Sequence, residues 1–182
     1  MDEQNHPKIV APIPLINCEY CDKSSNFECY ADGSKMNNRV GASVVIYQKD
    51  VELKTWNARL PGNCTVFQAE LKALRQGVIM LSTLLNRGDS ISVFSDSSTA
   101  LDVMSGCNES YKDAVWTWHK MVELMVNGHH LQLGWIKAHV GHKGNERADL
   151  LAKEASLQEY IVPHTIPNSS LKCSTINSLY HN

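Results

Sequence analysis

The chain has 182 residues, of which 43% are hydrophobic, so it is long enough to bury a substantial core within one domain. Its 17 basic and 19 acidic side chains give a formal net charge of −2, which excludes a strongly basic protein but not a nucleic-acid enzyme whose metal-binding carboxylates lower the net charge. No apolar run reaches the length of a membrane span and the amino terminus is too polar for a secretory signal, so a soluble intracellular protein is expected.

Prolines and hydrophobic periods divide the chain into three parts. Residues 1–26 contain three prolines and no clear period, and we expect an extended leader or linker there. Residues 27–156 hold all the recognisable strand and helix patterns. Residues 157–182 are mostly polar, and we expect a partly disordered tail.

Alternating and apolar runs predict five strands. In chain order they are Phe27–Ala31, Val40–Tyr47, Val51–Ala58, Ser90–Ser95 and Leu131–Trp135. The first three form a meander, whereas helical connections lead to the last two, which forces parallel pairing with right-handed crossovers. The prediction is an α/β fold with a five-stranded mixed sheet of order 3-2-1-4-5, covered by helices on both faces.

Helix signals fill the connections between these strands. Thr65 with Gln68 three residues later is a capping-box signature for a long helix, which we expect to end at Gly88. Ser97 and its neighbours can cap a short helix ending near Gly106. A third amphipathic helix carries its apolar stripe at Tyr111, Val115, Trp118, Val122 and Met125.

The last predicted helix follows a glycine-containing loop. Gly141 and Gly144 loosen the chain, and Asn145 is a good N-cap. A glycine-containing loop followed by a capped helix does not account for the presence of His139 and His142. Zinc binding by the two histidines is disfavoured, because no cysteine or carboxylate partner lies at ligand spacing.

Four acidic residues are expected to meet at one edge of the sheet. Asp32 and Asp96 follow the carboxyl ends of neighbouring parallel strands, where ligands bind in open α/β sheets. Glu70 and Asp149 flank the apolar stripes of their helices. Each acid alone has an ordinary structural interpretation, but four converging negative charges would repel strongly. Mg²⁺ or Mn²⁺ would resolve that conflict, and two such ions suit phosphodiester hydrolysis.

Cysteines and tryptophans raise two weaker hypotheses. Cys18 and Cys21 form a CxxC, but no second pair follows at zinc-ribbon spacing, so reduced structural thiols are favoured over a zinc site. Trp118 and Trp135 fall on apolar periods, which favours core packing over a base-stacking platform. Trp116 lies off the stripe, and its role stays open.

Four motifs resemble the type I ribonuclease H domain, in the order of that family and over residues 27–156. They are "YADGS" with Asp32, "FQAEL" with Glu70, "FSDSSTAL" with Asp96, and "HVGHKGNERAD" with His139 and Asp149. The wording of "VFQAEL" and "GHKGNERAD" is most similar to the ribonuclease H domains of non-LTR retrotransposons.

The resemblance implies an endonuclease that hydrolyses the RNA strand of RNA–DNA hybrids and leaves 5′-phosphate and 3′-hydroxyl ends. Two Mg²⁺ ions, with Mn²⁺ as a substitute, would be held by Asp32, Glu70, Asp96 and Asp149. His139 would assist proton movement or product release. The residues expected to contact the substrate are Gly33, Ser34, Thr65, Gln68 and Asn145.

The chain departs from the cellular members of this family in two places. Val66 and Phe67 stand where those enzymes carry amides that contact the hybrid, and only Lys112 is basic in the stretch where some of them insert a basic protrusion. We therefore expect weak autonomous binding to hybrids. The expected state is a monomer, with a reverse transcriptase domain as partner in a longer polyprotein.

Two other functions remain open from the sequence. A catalytically inert, retrotransposon-derived nucleic-acid-binding domain would keep the fold without cutting, although the complete set of four acids argues against it. Another nuclease or an integrase could use the same fold, but those proteins usually lack the histidine loop before the last acid.

Overall fold

Six strands form one mixed sheet in the computed structural model, which describes residues 13–17, 25–106 and 110–163. The elements are β1 (Leu15–Asn17), β2 (Phe27–Met36), β3 (Arg39–Gln48), β4 (Val51–Leu60), α1 (Val66–Ser82), β5 (Ser90–Ser95), α2 (Ser98–Ser105), α3 (Lys112–Val126), β6 (His130–Trp135) and α4 (Lys143–Ser156). The sheet order is β1-β6-β5-β2-β3-β4, with antiparallel pairing in the meander β2-β3-β4 and parallel pairing elsewhere. None of the helices among these residues is long and apolar enough to cross a membrane.

The prediction of a five-stranded sheet of order 3-2-1-4-5 is wrong, because the sheet contains a sixth strand. β1 lies in the stretch expected to be an extended leader, and it pairs in parallel with β6. It stands at the outer edge, so the neighbours of β5, β2 and β3 are unchanged by it. Three residues beside Pro12 and Pro14 are too short for a recognisable alternation, which is why the sequence did not indicate this strand.

Replacing Ile13 should show that this amino-terminal segment contributes to stability. Ile13 is 2% exposed in the core, whereas Leu15 is 42% exposed. We expect Ile13→Ala to lower the free energy of unfolding by about 2–3 kcal/mol, since a buried isoleucine loses its packing and leaves a cavity. Leu15→Ala is the matched control and should change it by less than about 1 kcal/mol. Equal effects in urea denaturation would show that burial of the Ile13 side chain does not anchor this segment to the core.

The strand β2 runs five residues beyond its predicted end at Ala31 and turns tightly into β3. Asn37 and Asn38 both adopt positive φ, at 49° and 60°, as two-residue hairpin turns require. Lys49 and Asp50 make the turn from β3 to β4 with similar angles, 49° and 64°. The long hairpin places the "DGS" segment inside β2, beyond the strand end predicted at Ala31.

Helices α1 and α4 cover opposite faces of the sheet. Gly77 of α1 lies so close to Cys29 that an added Cβ would be 2.6 Å from its sulfur. Gly144 of α4 likewise approaches Tyr30, where an added Cβ would be 2.3 Å from a ring carbon. Because adjacent residues of a strand point to opposite faces, the two helices lie on the two sides of β2. This confirms the prediction of helices on both faces.

The predicted start of α1 is confirmed, and its predicted end is wrong. Thr65 and Gln68 form both hydrogen bonds of the capping box. The helix ends at Ser82, and Gly88 lies in a later turn with a φ of 87°. A glycine in the sequence indicates where the chain can reverse with positive φ, but it does not show whether a helix extends to that position. The predicted bounds of α2, from a cap at Ser97 to Gly106, are confirmed.

In α3 the buried face differs from the predicted stripe. Its fully buried residues are Ala114, Thr117, Met121 and Leu124. Helix α3 packs against α1, and its buried face combines two small residues, Ala114 and Thr117, with the larger Met121 and Leu124. Larger members of the predicted stripe, Trp118 among them, are partly buried at the edge of the core.

Some predictions concern segments near the ends of the described chain. Val162 donates its backbone N–H to the carbonyl of Arg59 at 2.8 Å, so the start of the polar tail pairs with β4. Cys18 and Cys21 lie outside the described residues. Cys29 and Cys64 are both buried free thiols.

Candidate metal centre

Asp32 and Asp96 lie side by side where β2 and β5 stop pairing. The last paired residues of these strands are Tyr30 and Phe94, so each aspartate stands two residues further along its own chain. Carboxylate oxygens of Asp32, Asp96 and Glu70 all lie within 4.8 Å of one another. The structure thus brings together three of the four acids that were predicted to meet at this edge of the sheet.

Glu70 is fixed in this cluster by two hydrogen bonds. The backbone N–H of Gly33 donates to Glu70 Oε1 at 2.9 Å, and the Ser95 hydroxyl donates to Oε2 at 3.2 Å. A Cβ on Gly33 would lie 2.8 Å from the backbone nitrogen of Glu70. Glycine at this position therefore allows α1 to approach β2 closely enough to bring the Glu70 carboxyl, which is only 3% exposed, beside Asp32.

Burial and mutual repulsion disfavour the charged forms of these acids. The pKa of Asp32 is raised to about 8, chiefly by burial and then by the negative charges of Asp96 and Asp149. The pKa of Glu70 is raised well above its usual value by burial and by Asp32 and Asp96, against the lowering effect of its two hydrogen bonds. Full ionisation of the cluster at neutral pH is therefore unfavourable unless a positive charge offsets that of the acids.

The residues fit a hard divalent cation. Asp32 Oδ2 is buried and has no hydrogen-bond partner among the described residues, although buried polar atoms are normally paired. All three converging side chains offer carboxylate oxygen, the donor that hard cations prefer. A cation here would bind the unpaired oxygen and offset the repulsion between the acids.

Asp149 stands apart from the three inner acids. It lies on α4, and its Oδ2 accepts a hydrogen bond from the Lys153 ammonium at 2.6 Å. It is nevertheless near enough to Asp32 to raise the pKa of that carboxyl. The structure therefore places Asp149 at the rim of the site and paired with a lysine, not inside the cluster.

The loop before α4 differs from its prediction in one respect. The helix begins at Lys143 with His142 at the N-cap position, so Asn145 is not the N-cap and Gly144 is helical. Asn145 is instead buried, and its Nδ2 donates to Asp96 Oδ2 at 3.5 Å, a long hydrogen bond. The capping preference of asparagine gave the wrong position because packing of Gly144 on Tyr30 starts the helix earlier.

His139 lies exposed in this loop with a φ of 55°. Among the residues that the structure describes, the side chains placed to hold a metal together are the three inner acids, and neither His139 nor His142 is one of them. Gly141 also has positive φ, at 91°, so the loop reverses sharply between β6 and α4.

The residues predicted to contact substrate form two groups. Gly33 and Ser34 are half-buried on β2, next to the acids. Thr65 and Gln68 are occupied with each other, since the Thr65 N–H donates to Gln68 Oε1 at 2.8 Å and the Gln68 N–H donates to Thr65 Oγ1 at 3.1 Å. Phe67, which stands where cellular enzymes carry an amide, packs edge-on against the Tyr111 ring instead.

Trp135 supports Asp96 in a way that the sequence did not indicate. Its Nε1–H donates to the backbone carbonyl of Asp96 at 3.0 Å. The ring is partly buried against the core, as predicted for Trp135. Trp116 is different: it is 38% exposed and the Arg75 guanidinium lies 4.7 Å from its ring centre. Alternation alone identifies Trp135 as a packing residue and gives no signal for its hydrogen bond.

Removing the Trp135 hydrogen bond should affect activity through the position of Asp96. We expect Trp135→Phe to keep most of the packing and to lower the activity of the site about tenfold, because the carbonyl of Asp96 loses its partner. The free energy of unfolding should fall by about 1–2 kcal/mol. Trp118→Phe is the control and should leave activity unchanged. Steady-state rates and urea denaturation measure the two effects, and full activity in Trp135→Phe would show that this bond does not position Asp96.

A family model described as RNase H matches residues 24–157 of the chain. A ribonuclease H of Pseudomonas putida (strain W619) is 32% identical over 146 residues, which cover 71% of this chain and 92% of that protein. A ribonuclease H of Campylobacter jejuni (strain RM1221) is 28% identical over 142 residues, covering 73% and 92%.

Solved structures show the same fold. LC11-RNase H1, isolated from compost, superposes with a TM-score of 0.59 at 23% identity, covering 72% of this chain and 95% of that one. RNase H1 from the archaeon Halobacterium salinarum superposes with a TM-score of 0.55 at 21% identity, covering 71% and 96%.

Proposed function

The chain belongs to the ribonuclease H family, and on that premise we propose that it is an endonuclease acting on the RNA strand of RNA–DNA hybrids. The observation that carries the proposal is the convergence of Asp32, Glu70 and Asp96, with one buried carboxylate oxygen left unpaired. An inert binding domain has no need for buried acids that repel one another. Such an arrangement is typical of a site that binds cations.

The proposed cofactor is a pair of Mg²⁺ ions, with Mn²⁺ as a substitute. Asp32, Glu70 and Asp96 would hold them from inside the cluster, and Asp149 would complete the set from the rim. Bound there, the ions supply an activated water and stabilise the departing oxygen. Water adds to the phosphorus and the bond to the 3′-oxygen breaks, which leaves 5′-phosphate and 3′-hydroxyl ends.

The protein's own groups orient the reaction. Gly33 and Ser95 hold the Glu70 carboxyl by hydrogen bonds, and Trp135 holds the backbone of Asp96. His139 is proposed to assist proton movement or product release, because it lies exposed on the sharply turned loop before α4.

Selection of RNA would come from contacts to 2′-hydroxyls across the minor groove. Candidate groups are the backbone of Gly33 and Ser34 beside the acids, together with Thr65, Gln68 and Asn145. The capping box uses Gln68 Oε1, so its Nε2 is the atom proposed to reach the substrate.

We also propose that the isolated chain binds RNA–DNA hybrids weakly. Val66 is 41% exposed and Phe67 packs on Tyr111, so neither offers the amide found in cellular enzymes. Fluorescence anisotropy should give a dissociation constant in the micromolar range or above at physiological salt. Nanomolar binding by the isolated chain would contradict this.

The proposed origin is the ribonuclease H domain of a non-LTR retrotransposon. The residues of the motifs "VFQAEL" and "GHKGNERAD" support this origin. Within such an element, residues 27–156 would be the catalytic domain, and the partner would be a reverse transcriptase domain of the same polyprotein. We propose an intracellular monomer.

The proposed activity is tested with end-labelled substrates of one sequence. The protein is incubated with Mg²⁺ and an RNA–DNA hybrid, an RNA duplex, a DNA duplex or single-stranded RNA. We expect cleavage of the RNA strand in the hybrid only, with 3′-hydroxyl ends that a polymerase can extend. Preferential cutting of the DNA duplex would favour another nuclease of this fold, and a lack of cutting would favour the inert domain.

A further inference from the structure

Asp149 has a cationic partner of its own, unlike the three inner acids. Lys153 lies one helical turn later on α4, and its ammonium contacts Asp149 Oδ2 at 2.6 Å. Within the described part of the chain, no lysine or arginine pairs with Asp32, Glu70 or Asp96.

This pair lies in contact with solvent. The Lys153 side chain is 50% exposed and that of Asp149 is 23% exposed. Ion pairs one helical turn apart on an exposed face are weak, because water screens them and the side chains lose freedom on pairing. A stronger cation that reaches Asp149 can therefore displace the ammonium.

The charge of Lys153 also acts on the inner cluster. Its ammonium lowers the pKa of Asp32, against the larger raising effects of burial, Asp96 and Asp149. A positive charge at this place attracts the same carboxylates that would bind metal. It also repels any cation that approaches them from the rim.

We propose that Lys153 is a built-in competitor for the divalent cation at Asp149. It holds Asp149 at the rim while no ion is bound there, and it sets the cation concentration at which the outer part of the site fills. Lys153 is thus a positioning residue that acts through Asp149. This inference rests on the proposed function, because it requires that Asp149 completes the metal site.

Calorimetric titration with MgCl₂ and with MnCl₂, without nucleic acid, tests the competition directly. Lys153→Gln should bind the ions about tenfold more tightly than the parent, since one positive charge a few ångströms away is removed. Lys153→Arg keeps that charge and should stay within about twofold of the parent. Lys120→Gln is the matched control, because it removes another helical lysine, paired with Glu123 at 2.7 Å on α3. It should also leave the affinity within about twofold.

The outcomes separate this inference from the proposed function. Binding by the parent that Lys153→Gln does not tighten overturns the competitor role alone, and so does an equal gain in Lys120→Gln. An absence of binding in all four proteins overturns the proposed metal site, and the role of Lys153 with it. Tighter binding in Lys153→Gln alone supports both.

Discussion

Asp32→Asn is expected to lower the rate of hybrid cleavage by about a thousandfold or more, because a metal at a reacting phosphate supplies several kcal/mol of transition-state stabilisation. The Asp32 carboxyl is 4% exposed and its Oδ2 has no hydrogen-bond partner among the described residues. An amide of the same shape carries no charge and binds hard cations far more weakly. The variant should also be more stable than the parent without metal at about pH 8, since the buried charge is gone.

Cleavage rates and thermal melts of the same preparations measure both effects. Asp102→Asn is the control, because Asp102 lies exposed on α2 and the same change there should alter neither quantity. Loss of activity together with loss of stability would indicate that Asp32 maintains the fold. Retention of activity would show that Asp32 is not a ligand of the metal.

The second large effect concerns pH. Without divalent cations, the protein should lose stability as pH rises from about 4 to the Asp32 pKa of about 8. The folded protein keeps its proton at pH values where the unfolded chain has lost it, so folding takes up protons over this window. Rising pH opposes proton uptake and therefore favours unfolding. From the rise in the pKa of Asp32 alone, the loss has an upper bound of about 6 kcal/mol, and Glu70 contributes a further loss in the same direction.

Divalent cations should reverse this trend, since they stabilise the ionised carboxylates. The increase in melting temperature on adding MgCl₂ should be larger at about pH 8 than at about pH 5, where protons compete for the same oxygens. Urea denaturation in EDTA across this range measures the slope, and Asp32→Asn should flatten it. A metal-free protein whose stability rises between these pH values would show that burial and neighbouring charges do not raise the pKa values of Asp32 and Glu70 in the folded state.

The inner acids could be predicted because each follows from a local pattern. The end of β5 just before Asp96 can be predicted from an apolar run that stops. The apolar run before Asp32 marks the point where β2 stops pairing with β5, although β2 itself continues to Met36. The position of Glu70 follows from the stripe of an amphipathic helix. Parallel pairing then brings strand ends together without knowledge of any contact.

The features that escaped prediction depend on contacts between distant segments. Whether Leu15–Asn17 forms a strand is decided by the free edge of β6, which no local pattern encodes. The bond from Trp135 to Asp96 joins residues 39 positions apart. Asn145 has the composition of a cap but is buried beside Asp96, because the packing of Gly144 on Tyr30 fixes where α4 begins. The pairing of Asp149 with Lys153 follows helical spacing, yet its competition with a metal only becomes visible when the inner acids are in place.

The most direct measurement is a Mg²⁺ titration of hybrid cleavage by the parent and by Asp96→Asn in parallel. With the parent, cleavage of the RNA strand should be absent in EDTA and should rise with Mg²⁺ concentration. With Asp96→Asn it should stay near background at every concentration. Cleavage by the parent in EDTA, or equal cleavage by the two proteins, would contradict a metal-dependent hydrolysis at these carboxylates.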